Sequence, residues 1–145
     1  MIKFKLDQDS LTNDFFDNFR LFGIMAPIKN YTFCWKLNVT LGTNFKLSNQ
    51  KELKLHNKQR NYFFNLYEWQ EPNSFLEHHL YHNQYDGNYL LPEFKNMDFL
   101  WLMKGDIVEE EKCNWLKNTV KSIEGVQLIV ELSKDKIKNK SNLIF

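Results

Sequence analysis

Three histidines crowd the stretch Glu77-His78-His79-Leu80-Tyr81-His82, and imidazole nitrogens at such spacing raise the question of a metal. On a helix, His78 and His82 would stand at i and i+4 and could share a zinc ion. On a strand they share a face but lie about 13 Å apart, too far for one ion. The surrounding residues are β-prone, and no glutamate falls where a His-Glu-x-x-His site requires it. The expectation is therefore histidines on a solvated edge strand, with no metal.

Two carboxylates, Glu93 and Asp98, lie beside apolar residues in the run from Tyr89 to Met103. Apolar neighbours can raise a carboxyl pKa into the range of general acid–base work. The structural alternative is that Glu93 caps a turn and Asp98 bonds to backbone or to a basic side chain. No residue is assigned a catalytic role. The segment Lys134-Asp135-Lys136-Ile137-Lys138-Asn139-Lys140 carries four lysines against one acid. Lys134, Lys136, Lys138 and Lys140, with Lys58 and Arg60, are candidates for phosphate contacts with RNA, and aromatic side chains for stacking are plentiful. No RNP-like aromatic motif accompanies them, which favours a solvated basic tail. Cys34 and Cys113 stand alone in different elements and read as buried, reduced thiols. The five glycines are isolated, so no phosphate-cradling loop is present, and no nucleophile elbow or kinase set is found.

Pro92 fixes its own φ, lacks an N–H, and drives Leu91 toward an extended conformation. Leu90 and Leu91 should close an extended segment, with Glu93 to Asn96 forming a turn or one helical turn. Proline at a first helical position followed by an acid suits a helix N-terminus. Met97 to Met103 is then nearly all apolar, the pattern of a strand covered on both faces. Leu91-Pro92-Glu93, three residues, then Met97-Asp98-Phe99 resembles the signature of the bacterial IPExxxVDY family. Leucine, methionine and phenylalanine stand in place of isoleucine, valine and tyrosine. Phe99 lacks the tyrosine hydroxyl, so no role of that group carries over. The resemblance extends over most of the chain, through Gly23-Ile24, a Tyr-rich helix start near Tyr31, and the end Asn142 to Phe145. It implies one IPExxxVDY-like domain over residues 1–145 and brings no assigned activity.

The elements that must position these residues follow from periodicity. Ile2, Phe4 and Leu6 alternate with lysines, a half-buried strand. Ser10 can cap a helix carrying Leu11, Phe15, Phe16 and Phe19 on one stripe. Arg20 to Ala26 reads as a strand stopped by Pro27. Tyr31 to Leu41 fits either period; Asn30 as cap and Gly42 as the residue after the helix favour a helix, as does the resemblance. Asn38 would then face inward and need a hydrogen-bond partner. Phe45 and Leu47, then Leu53 and Leu55, suggest two short strands about a Ser-Asn-Gln turn, followed by a basic loop from His56 to Asn61. Tyr62 to Trp69 and Phe75 to Tyr81, joined through Glu71-Pro72-Asn73-Ser74, form a hairpin. Asn83 to Asn88 is loop. Glu109 to Glu111 open a helix and Lys117 and Lys121 lie toward its end, matching the dipole. Val108, Trp115, Leu116, Val120 and Ile123 form its apolar face. Gly125 ends it and Val126 to Leu132 is a strand, so a βαβ crossover is expected.

A chain of 145 residues is one domain that buries roughly two-thirds of its unfolded surface. Hydrophobic content of 43% with 16% aromatics excludes disorder. The charge of 19 − 18 = +1 gives no global drive toward nucleic acid or an anionic membrane. The first ten residues alternate charged and apolar types, unlike a signal peptide, and no run reaches the ~20 apolar residues of a membrane span. The expected fold is α+β: a single domain with a mostly antiparallel sheet of about six or seven strands, about three helices and a C-terminal βαβ unit. Residues 133–145 would be an extended basic tail with an apolar end. The expected function is that of a non-enzymatic cytoplasmic interaction or small regulatory protein without cofactor, because catalytic spacing is missing and Leu143-Ile144-Phe145 suits docking on a partner or on its own domain. The alternatives are an RNA-associated protein, and an enzyme in which a concave pocket holds both Glu93 and Asp98.

Overall fold

The computed structural model describes residues 18–48, 53–57 and 60–144. The strand expected over residues 2–6, nearly all of the helix expected over residues 10–19, and Lys58 lie outside them. The elements in order are β1 (Arg20–Met25), α1 (Asn30–Leu41), β2 (Lys46–Leu47), β3 (Leu53–Asn57), β4 (Arg60–Phe64) and β5 (Leu66–Gln70). Then come β6 (Glu77–His82), β7 (Gln84–Tyr85), β8 (Asn88–Tyr89), β9 (Phe99–Lys104), α2 (Glu110–Lys121) and β10 (Leu128–Glu131). Short 3₁₀ turns occupy Pro92–Phe94, Lys134–Lys136 and Lys140–Leu143.

Six strands form one antiparallel sheet in the order β10-β1-β9-β6-β5-β2, while β3–β4 and β7–β8 are separate two-stranded ribbons. The apolar run therefore becomes the interior strand β9, paired with β1 on one side and β6 on the other. Its residues Phe99 to Met103 are all buried, as a strand covered on both faces must be. The expected hairpin forms as β5–β6, with Leu66 opposite Tyr81 and Gln70 opposite Glu77, but Tyr62 to Phe64, expected in its first strand, belong to β4 and pair with β3. Three further expectations are corrected. Of the stretch 56–61, expected as a loop, His56 and Asn57 belong to β3 and Arg60 and Asn61 to β4, paired His56 with Asn61 and Asn57 with Arg60. The βαβ unit is split: β9 and β10 both run antiparallel to β1, which lies between them, so α2 joins parallel strands that are not neighbours. Two α-helices stand among the described residues where about three were expected.

Side chains alternate across the sheet and build two cores. Phe22, Ile24, Trp101, Met103 and Leu80 face α1 and α2, meeting Phe33, Cys34 and Leu37 from one helix and Cys113, Leu116 and Val120 from the other. Leu21, Leu66, Tyr81, Leu100 and Leu102 face the opposite way, under Leu90, Leu91, Met97, Leu132, Ile137 and Leu143. Gly23 in β1 allows this second layer to close. A Cβ there would stand 2.9 Å from Met97 Cγ and 3.1 Å from Leu132 Cδ2.

Helix α1 ends as its glycine demands, with Gly42 at φ 72° and its N–H bonded to Asn38 O. Its start differs from expectation: Lys29 is the capping position, without a side-chain cap, and the Asn30 amide instead donates to the Tyr67 hydroxyl at 3.1 Å. Asn38 finds its partners in the chain that follows. Its Oδ1 accepts from Phe45 N and from the Thr43 hydroxyl, both at 2.8 Å, and its Nδ2 donates to Phe45 O at 3.1 Å. Helix α2 has Glu110 and Glu111 in its first turn and Lys121 in its last, opposing the dipole at both ends. Cys113 takes the inward place expected of Trp115, which is 53% exposed. Trp115 directly precedes the inward Leu116, and at about 100° per residue that single step turns the indole toward water.

Candidate functional site

The loop from Asn83 to Asp98 is built around a residue that the sequence reading passed over. Asn83 is fully buried. Its Nδ2 donates to Phe94 O and to Met97 O at 3.0 Å each, and its Oδ1 accepts from Leu91 N at 2.8 Å. Its backbone N–H donates to Asp98 O and its carbonyl accepts from Leu90 N. One side chain thus holds the entry and exit of the Pro92–Phe94 turn, in which Leu91 is extended and Pro92 opens the helical turn. An asparagine directly after a strand and before a long turn was the available signal, but many loops begin that way.

Glu93 and Asp98 both meet backbone donors. Asp98 Oδ2 accepts from Ala26 N at 2.7 Å, so it pins the exit of β1. Glu93 reaches across to the C-terminal segment: its Oε2 accepts from Lys138 N at 2.6 Å and Asn139 N at 2.7 Å, and its Oε1 accepts from Asn139 Nδ2 at 2.8 Å. Burial alone would raise its carboxyl pKa, but the bonds from Asn139 and Lys138 outweigh it and the net shift is downward. Neither carboxylate lines any of the clefts described below. The chemistry of this arrangement is anchoring of peptide N–H groups.

Residues 133–144 are not a free tail. Ile137 and Leu143 are buried, Tyr81 Oη donates to Leu143 O at 2.8 Å, and Asn142 Nδ2 donates to Leu90 O at 2.8 Å. The segment is a strap across the sheet face that the helices leave open. Lys134, Lys136 and Lys138 are all exposed, and Lys134 Nζ lies 4.9 Å from the centre of the Phe19 ring. The side chains of Arg60 and Lys140 lie outside the described residues, as does Lys58.

The histidines are not on an edge. Strand β6 sits between β5 and β9, and His78 and His79 are each 2% exposed. Alternation sends them to opposite faces. His78 Nδ1 accepts from Trp101 Nε1 at 3.0 Å and its Nε2 meets Glu71 Oε2 at 3.0 Å. Glu71 is held in turn by Lys112 Nζ at 2.8 Å. Burial raises the Glu71 carboxyl, and the bonds from Lys112 and His78 bring it below its ordinary value. His79 lies between Glu77 Oε1 at 3.4 Å and Glu68 Oε2 at 4.0 Å, beside a cleft of about 280 Å³ lined by Glu68, Trp69, Gln70, Glu77 and His79. His82 stacks on Phe99, ring centres 5.1 Å apart. Among the described residues no group of three or more His, Cys, Asp or Glu is arranged to hold a metal ion.

Both cysteines are free and buried, and burial pushes the Cys34 thiol up to about 11, so it is protonated and a poor nucleophile at neutral pH. The outward face of α1 is different in kind. Tyr31, Trp35 and Val39 recur at i, i+4 and i+8 and are 60%, 64% and 64% exposed. A groove of about 260 Å³ continues from Trp35 and Val39 to Thr40, Ser122, Ile123 and Glu124 at the end of α2. The α1 sequence is apolar on both faces, which is why its two periods conflict. A further cleft beside β2 is lined by Asn44, Lys46, Leu47, Glu68, Trp69 and Pro72, among others, and another surrounds Arg20, which pairs with Glu110 and Glu131 at 2.9 and 3.0 Å. No helix among the described residues is long and apolar enough to cross a membrane.

Comparison with protein-family models, with curated proteins and with solved structures finds no match to this chain.

Proposed function

We propose that the chain is a protein-interaction module whose contact surface is the outer face of α1. The observation that carries this reading is the stripe Tyr31, Trp35 and Val39, aligned on one helix face and more than half exposed. Large apolar side chains in a contiguous row lose free energy to water that an apolar partner restores. Charge narrows the occupant. Residues 30–41 contain one charged residue, Lys36, and no acid; Lys29 precedes them, with its ammonium 5.8 Å from the centre of the Tyr31 ring. The complementary ligand is an amphipathic helix of another protein with an apolar stripe bordered by Asp or Glu, laid along α1 and the Trp35–Ile123 groove.

The apolar chain end, which first suggested docking, contributes less to this reading because Leu143 packs on its own domain. The acid–base alternative has no footing in a pair of carboxylates bonded to backbone amides. The pattern from Leu91 to Phe99 supports grouping the chain with the IPExxxVDY proteins, and the burial of Phe99 against Phe33 supports a packing role for that position.

The test is recovery of partners from native lysate after ribonuclease treatment, with wild type beside the double variant Trp35→Ser, Val39→Ser. A ribonuclease-resistant partner recovered by wild type and lost by the variant, at unchanged melting temperature, is the expected result. Partners lost to ribonuclease would favour RNA contacts through Lys136 and Lys138. A wild-type protein that sediments as a dimer, and a variant that sediments as a monomer, would replace the foreign helix with a second copy.

A further inference from the structure

The buried contacts of His78 fix its protonation state. An indole N–H only donates, so the His78 Nδ1 that lies 3.0 Å from Trp101 Nε1 carries a lone pair. Its Nε2 therefore bears the proton and donates to Glu71, 3.0 Å away. The charged groups that face the ring among the described residues are Glu71 from the β5–β6 turn and Lys112 from α2. The remaining neighbours are aromatic: Trp69 at 4.7 Å, Trp101 at 5.8 Å and Phe45 at 6.2 Å between ring centres. No water-filled space is needed to satisfy the imidazole, because both nitrogens already have partners.

We propose that His78 is an acid-sensitive latch joining the β5–β6 turn and α2 to the middle of the sheet. One proton taken from solvent at Nδ1 sets that N–H against the Trp101 N–H, donor to donor, and opens the bond between them. The Glu71 side of the ring gains charge attraction in the same step, so the imidazolium is drawn toward Glu71 and away from Trp101. Burial lowers the His78 pKa and Glu71 raises it, with burial the larger, so the latch is closed at neutral pH and opens on acidification. Trp101 packs edge-on against Phe45 at 5.1 Å, and Phe45 is bonded through its backbone to Asn38 of α1. Release of Trp101 therefore reaches the helix layer, whether or not α1 binds a partner.

The experiment is NMR of the histidine ring nitrogens and tryptophan indole protons in the full chain, from neutral to mildly acidic pH. The expected result is a bare Nδ1 and a protonated Nε2 on His78 at neutral pH. Its titration should fall below the ordinary histidine range, and the Trp101 indole signal should move with the same midpoint. In Trp101→Phe, which removes the opposing donor, the His78 midpoint should rise. In His78→Gln, which still accepts from Trp101 and donates to Glu71, the Trp101 signal should be independent of pH across this range. A proton on Nδ1 at neutral pH, or a Trp101 signal that does not move as His78 titrates, would overturn the proposal. Wild type alone decides both points if a variant does not fold.

Discussion

Asn83 and Glu93 show how much of this structure hangs on single polar side chains. Asn83→Ala would remove the acceptor of a buried N–H and the donors of two carbonyls. Stranded buried groups cost about 1–3 kcal/mol each, partly relieved by relaxation, so we expect a loss of about 2–4 kcal/mol in chemical denaturation. Glu93→Ala faces water on one side and should cost less, about 1–2 kcal/mol, with the change concentrated in the strap: limited proteolysis should cut near Lys138 sooner. The sign with pH follows from its lowered carboxyl pKa. Its contribution is full above the ordinary glutamate value and is lost as pH falls through the lower folded value. Of these two residues only Glu93 was legible beforehand, because a Pro-Glu pair marks a helical turn. Its reach across 45 positions to Lys138 is a tertiary contact that no local pattern encodes. The buried histidines were misread for a related reason: polarity suggested an edge, whereas Trp101 from the neighbouring strand and Glu71 from across the β5–β6 turn supply the partners that allow His78 to be buried.

At the scale of elements, α1 and the C-terminal strap exchange the roles that their sequences suggest. Leu143 packs inward, and the aromatic face of a helix looks outward. This gives paired predictions of opposite size. Leu143→Ala empties a fully buried site and deprives the Tyr81 hydroxyl contact of its setting, so it should cost about 2–4 kcal/mol by thermal or urea unfolding. Trp35→Ser, at an exposed position, should change stability by no more than about 0.5 kcal/mol. Gly23→Ala belongs with the first kind. Its methyl would press on Met97 and Leu132, and we expect a loss of about 1–3 kcal/mol unless those side chains repack. The core strand β9, the β5–β6 hairpin and the acidic start and basic end of α2 were readable because each rests on local propensity and periodicity. The two-residue strand β2 and the register of β3 with β4 rest on pairing between strands, which periodicity does not supply.

Among the described residues the sheet has unequal covers: two helices on one face, a loop and a strap on the other. The α+β class followed from the alternation of strand and helix patterns, but the place of β10 did not. A strand–helix–strand pattern fixes that β9 and β10 run parallel; that β1 lies between them depends on the match of Gly23 and its neighbours to both partners. The covers also differ in chemistry. The strap side is closed by Glu93, Asn83, Asn142 and Tyr81, whereas the α1 side ends in apolar side chains facing water. We propose that this second side binds protein. Hydroxyl-radical footprinting of the chain, alone and with its ribonuclease-resistant partner, tests it most directly. Oxidation of Tyr31 and Trp35 should fall several-fold in the complex while Lys136 and Lys138 remain as reactive as before. Unchanged Tyr31 and Trp35, with protection confined to the strap, would contradict it.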